Sequence, residues 1–188
     1  MNENVFLSGV FRPLYVAELA SLLPYGISAA ADGDFNPLLA QNLEFADDVS
    51  ENLSIGMHLC RGNRGGRWHA EGSYDAVAER LFNRLDIGFF FLEYDSPRAG
   101  DFTPLRFLPK HKSIVLGLLT TKRSMLEDID ELCRRVTDAS RFVDLDRLGV
   151  SPQCGFASVE TGNPITFEAQ EAKLRLVVEL ARLIWGTN

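Results

Sequence analysis

His58 and Cys60 stand one residue apart in GMHLCRGN, residues 56–63. Imidazole and thiol are ligands for borderline and soft metals, and the two-residue period of a strand sets both side chains on one face. Two further donors lie along the chain, Glu93 in FLEYD and Cys154 in SPQCGF. Two thiols, an imidazole and a carboxylate make a tetrahedral zinc set. The donors come from separate segments rather than from paired knuckles, which suits a catalytic site. Glu93 is the weakest of the four partners for zinc. A thiol that displaced it would be held as thiolate at neutral pH, since a coordinated thiol is deprotonated, and alkylation of its sulfur would follow. Read singly, the same residues also suit packing, with cysteine as a small buried hydrophobe and histidine as a satisfied core residue. Asp95 shares a face with Glu93 and is placed to orient a ligand or to bind a substrate amine; a solvated loop carboxylate is the plainer alternative. Arg61 and Asn63 could hold the adjoining loop or meet a carboxylate, and Gln153 could orient the loop carrying Cys154. Cys133, in the apolar stripe of a helix, reads as packing, and His69 and His111 read as surface residues.

These side chains need elements to aim them. From Leu53 onward, short apolar runs alternate with amphipathic patterns, the signature of βα units around a parallel sheet. Strands are expected over 54–60, 88–94, 113–119 and 148–150. A helix capped by Ser73 places Tyr74, Val77, Ala78, Leu81, Phe82 and Leu85 at helical spacing. A capping box of Ser124 and Glu127 predicts a second helix carrying Met125, Ile129, Leu132, Cys133, Val136 and Ala139. A third starts near Thr166, has Glu168 and Glu171 at its positive end, buries Leu174, Val177, Val178 and Ala181, and stops at Gly186. Residues 1–52 are less regular, with helices suggested over 14–23 and 37–49 and a weak strand over 26–30. Ligand sites in parallel α/β folds lie at the carboxyl ends of the strands. The four candidate donors fall at such ends and so converge on one rim.

Composition bounds the function. At 188 residues with 46% hydrophobic and 24% charged side chains, the chain reads as one globular domain, 1–188, with no internal repeat or linker. Its net charge of −7, with no Lys/Arg run beyond two, argues against nucleic-acid or anionic-membrane partners. Apolar runs such as 88–92 and 114–119 are far below the ~20 residues that span a bilayer. The N-terminal MNENVFLSGVFRP lacks the pattern of a secretory signal. Three widely spaced cysteines do not suit a disulfide scaffold. The expected address is the cytoplasm.

At these residues the chain resembles the cobalamin-independent methionine synthase family, both its catalytic C-terminal barrel and the shorter bacterial relatives. The resemblance rests on GMHLCRGN (56–63), FFLEYDSPRAGDFTPLRFLP (90–109), VLGLLTTK (115–122), LGVSPQCGFAS (148–158) and EAKLRLVVELARLIWG (171–186). It implies a (β/α)8 TIM-type barrel, here partial, with about four to six βα units. Residues 53–188 supply four of these and match the second half of the barrel, while 1–52 form a divergent N-terminal part. It also implies zinc ligands at His58, Cys60, Glu93 and Cys154, and catalytic roles for Glu93 and Asp95. Zinc would activate a homocysteine-like thiol for methyl transfer from a methyltetrahydrofolate-type donor. SGVFRP (8–13), through Ser8, is similar to the family's first-strand motif, and Asp32 and Asp34 in DGD could stand for the acidic strand end that binds the substrate amine. Methionine synthases proper carry a His-Ser pair where this chain reads Thr120-Thr121-Lys122, which is closer to the shorter relatives. A complete barrel takes ~250 residues. One alternative is therefore a catalytically impaired zinc-binding half-barrel working as an assembly subunit; another, implied by the likeness of the His-x-Cys motif to distant zinc methyltransferases, is thiol methylation from a corrinoid or other methyl carrier. A homo-oligomer or partner subunit would cover the open barrel edge.

Overall fold

The computed structural model describes residues 56–157 and 159–186, so the suggested elements within 1–52, and Ser8, Asp32 and Asp34, lie outside the described residues. Met57–Asn83 and Phe89–Asn188 cluster as one compact unit, and Arg84–Gly88 groups with a second. The candidate donors all belong to the first unit.

The elements are β1 (Gly56–Leu59), α1 (Asp75–Arg84), β2 (Phe89–Glu93), β3 (Ser113–Leu119), α2 (Ile129–Ala139), β4 (Leu148–Pro152) and α3 (Phe167–Trp185), with short 3-10 turns between them. The strands lie side by side in chain order, β1-β2-β3-β4. β2 pairs in parallel with β3, and β3 with β4. An α-helix joins β1 to β2 and β3 to β4, while 3-10 turns alone join β2 to β3; parallel strands adjacent in chain order are the pattern of a (β/α)8 barrel, and the architecture is α/β, part of a TIM-type barrel, as the sequence predicts.

Alternation along the strands separates two faces. Phe90, Leu92, Ile114, Leu116 and Leu118 are fully buried on the face that the helices cover. Phe82 of α1 meets Phe90 edge to face, with ring centroids 5.0 Å apart. Each such side chain contributes roughly 1.5–3 kcal/mol through its burial. α2 adds Leu132, Val136 and Ala139 at i, i+4 and i+7. Lys112 is buried too, and its Nζ donates to Phe82 O at 2.8 Å, satisfying a carbonyl in the last turn of α1.

Two expectations about helices are corrected. Ser124 and Glu127 do not open α2; the helix starts at Ile129 with Asp128 as its cap, accepting from Glu131 N–H. Asp128 and Glu131 form a competing capping pair of the same spacing, and Glu127 is drawn elsewhere. Its Oε1 accepts from Thr120 N–H at 2.9 Å, and both its oxygens lie 2.9 Å from Lys173 Nζ. Met125 is consequently outside the helix and 76% exposed. The second correction concerns α3, which Thr166 caps and Gly186 ends as expected. Its buried residues are Lys173 and Leu180, while Leu174 and Val178 are exposed. The inward stripe runs through a lysine because Glu127 and the Met125 carbonyl, 2.7 Å away, are there to receive its charge. Cys133 is half-buried on α2, and His69 and His111 are exposed.

Candidate metal centre

β1 delivers the first two donors. Its period of two sets His58 and Cys60 on one face, and the chain turns sharply after Cys60 at Gly62. That residue has φ +94, and a Cβ there would sit 2.5 Å from His69 Cδ2, so only glycine fits. β4 delivers the third donor, Cys154, just beyond its last residue. Cys154 Sγ lies 3.4 Å from His58 Nε2, and the donor atoms of His58, Cys60 and Cys154 all lie within 4.8 Å of one another. They are the one group of this kind among the described residues.

Charge follows from this crowding. A hydrogen bond from the Cys154 thiol, with the nearby His58, brings the Cys60 thiol down to about 4 against the burial that opposes it. The Cys154 thiol is pushed up, first by its hydrogen bond to Cys60 and then by burial, so the pair holds a single proton at neutral pH.

Glu93 stands outside the three-atom group, at the end of β2, and is 1% exposed. Its Oε2 accepts from Arg61 N–H at 2.6 Å and from Gln153 Nε2 at 2.9 Å. Its Oε1 has no hydrogen-bond partner, although Lys122 Nζ and Arg98 Nη2 each lie 3.7 Å away. A buried carboxylate oxygen left without a donor is costly unless a cation serves it. Asp95 follows on the same face. Its Oδ2 is 3.4 Å from Lys122 Nζ, and its Oδ1 is likewise buried without a hydrogen bond. The chemistry of these donors fits zinc: two thiols and an imidazole in reach of one another, with an undonated carboxylate oxygen behind them.

Arg61, expected to hold the adjoining loop or meet a carboxylate, does both, while Tyr74 and Arg98 are supports of the site that the sequence reading missed. Arg61 joins β1 to β2 through its backbone donor to Glu93 and its guanidinium, which bonds the carbonyls of Gly72, Glu93 and Ala99 and stacks 4.1 Å from the Tyr74 ring. The Tyr74 hydroxyl accepts from Glu93 N–H and donates to Leu59 O; burial pushes its pKa up, so the proton stays. Arg98 lies 3.6 Å over Trp68 while reaching Glu93. None of these has a periodic signal, since the roles of Arg61 and Tyr74 are set by backbone groups distant in sequence and that of Arg98 by the Trp68 ring and the Glu93 carboxylate. Lys122, in the Thr120-Thr121-Lys122 segment that departs from the His-Ser pair, is buried between Glu93 and Asp95.

Known proteins match part of the chain. The chain is 51% identical over 139 residues to each of two uncharacterized proteins of Bacillus subtilis strain 168, YxjG and YxjH; the match covers 73% of this chain and 37% of each relative. Among solved structures, a candidate vitamin-B12-independent methionine synthase from Listeria monocytogenes is 36% identical with TM-score 0.53, over 77% of this chain and 39% of that one. A B12-independent methionine synthase from Shewanella sp. W3-18-1 has TM-score 0.61 at 20% identity, over 76% of this chain and 41% of that one, a likeness of fold. No protein-family profile matches. The chain thus spans about two fifths of the relatives it matches.

Proposed function

We propose that this chain carries the zinc-binding half of an S-methyltransferase site of the methionine synthase type, acting on a homocysteine-like thiol with a methyltetrahydrofolate-type donor. The observation that carries the reading is the meeting of His58, Cys60 and Cys154 at the carboxyl ends of β1 and β4, in a half-barrel 36% identical to a candidate enzyme of that kind.

His58 Nε2, Cys60 Sγ and Cys154 Sγ would hold the metal, with Glu93 Oε1 as fourth donor. Bound there, zinc would present the substrate sulfur as thiolate at neutral pH. Glu93 is the ligand suited to yield to that sulfur, because Lys122 and Arg98 stand ready to balance its charge after it withdraws. Asp95, held against Lys122 with Oδ1 undonated, would receive the ammonium of an amino-acid thiol. Ser8, Asp32 and Asp34 are proposed to complete the substrate-binding surface.

Cobalt(II) loaded in place of zinc makes the reading testable. Homocysteine should change the thiolate-to-cobalt absorption of the loaded chain, and methyltetrahydrofolate should then give methylated thiol. Unchanged spectra on adding thiol would contradict the acceptor. Product from a methyl corrinoid but not from the folate would move the donor to the corrinoid class.

A further inference from the structure

We propose that Gln153 is a positioning residue of the metal centre: its amide orients Cys154 Sγ and pins one oxygen of Glu93, so that only Oε1 of the carboxylate is left to bind. This role rests on the proposed metal site. Gln153 is buried, and its Nε2 lies 2.9 Å from Glu93 Oε2 and 2.7 Å from Cys154 Sγ. A primary amide nitrogen has two hydrogens, one for each acceptor.

The opposite end of the side chain fixes which way the amide faces. Gln153 Oε1 lies 3.3 Å from the hydroxyl of buried Thr121, and that hydroxyl lies 3.2 Å from Asn63 Nδ2. Asn63 Nδ2 can only donate. The Thr121 oxygen accepts from it, and its single proton is left for Gln153 Oε1. Turned over, the amide would set its oxygen against a carboxylate oxygen and a sulfur. The chain of donors Asn63, Thr121, Gln153 therefore runs one way, from the loop after β1 through the end of β3 to two proposed ligands.

Gln153 reaches Glu93 from β4 by crossing β3, and Gly117 makes the crossing possible. Gly117 pairs with Glu93, and a Cβ on it would fall 2.9 Å from Gln153 Cα and 3.0 Å from Leu92 O. An amide suits this position better than a carboxylate, since it donates twice and brings no negative charge to a site with two thiols and Glu93. With Oε2 already taken by Arg61 N–H and Gln153, Glu93 is confined to binding through one oxygen. A one-point ligand is readily displaced by a thiol.

The test measures zinc affinity and the cobalt(II) spectrum of the full chain for wild type, Gln153→Met and Thr121→Val. Methionine keeps the length and removes both donors. Zinc should bind Gln153→Met about 10- to 100-fold more weakly, in the range for groups that orient metal ligands, and its cobalt–thiolate band should move. Thr121→Val should shift both in the same direction by less, and it carries the test alone if Gln153→Met does not fold. Wild-type affinity and spectrum in the variants would overturn the role of Gln153 while the metal site stood. A lowered Tm with the band unmoved would overturn it equally, because that is the mark of a purely structural residue. A wild-type chain that binds neither metal would overturn the metal reading and this inference together.

Discussion

Cys60 is the residue whose chemistry differs most from its ordinary behaviour. With its thiol held down to about 4 by Cys154 and His58, the metal-free protein carries a thiolate above that pH and loses it only in stronger acid. Iodoacetamide should therefore label Cys60 at pH 6, where a thiol at the usual value near 8.5 is almost wholly protonated, and zinc should protect it. Labelling that rises only above about pH 8 would contradict the pairing with Cys154. Lys122 carries a different expectation. It is buried between two buried carboxylates, 3.4 Å from Asp95 Oδ2 and 3.7 Å from Glu93 Oε1. Removing one member of a buried charge set costs about 3–5 kcal/mol, and Lys122→Met should lose stability on that scale in denaturant unfolding. A loss below ~1 kcal/mol, the range of exposed pairs, would show that Arg98 alone balances Glu93.

At the scale of elements, α3 and β3 together hold the rim. Lys173 of α3 is fully buried against Glu127 and the Met125 carbonyl, and Glu127 also holds Thr120 N–H at the end of β3. Lys173→Met alone should destabilise by about 3–5 kcal/mol, and adding Glu127→Gln should recover part of it by removing the stranded charge. Equal stability of the single and double variants would exclude the coupling. Gly117→Ala should shift β4 at Gln153, because both close atoms are backbone, and should weaken zinc binding along with Tm. The strands are legible in the sequence: the run SIVLGLL coincides with β3, Ser113–Leu119, since continuous apolar runs mark strands covered on both faces. Period alone places His58 and Cys60 on one face. The Lys173–Glu127 pair is not legible, because a lysine in a helix reads as solvent-facing until its partner 46 residues away is known. The start of α2 is ambiguous, because Ser124–Glu127 and Asp128–Glu131 are capping pairs of equal spacing set end to end.

The described sheet is a four-stranded part of a TIM-type barrel, with β1 and β4 as its outer strands among the described residues, and no helix among the described residues is long and apolar enough to cross a membrane. Since outer strands offer unpaired backbone groups, we propose that a second copy of the chain or a partner subunit covers this edge. If a second copy covers it, light scattering of the purified chain should report a dimer or larger assembly; a monodisperse monomer would contradict the second copy and leave the partner subunit. Every function assigned to the molecule depends on the metal, so the most direct test is zinc per chain by elemental analysis after purification without added metal, for wild type and for the Cys60→Ser/Cys154→Ser variant. Four donors from one chain at one site predict about one zinc per wild-type chain, and none in the variant. A folded wild type without zinc, or a variant that keeps it, would contradict a zinc centre built on His58, Cys60 and Cys154.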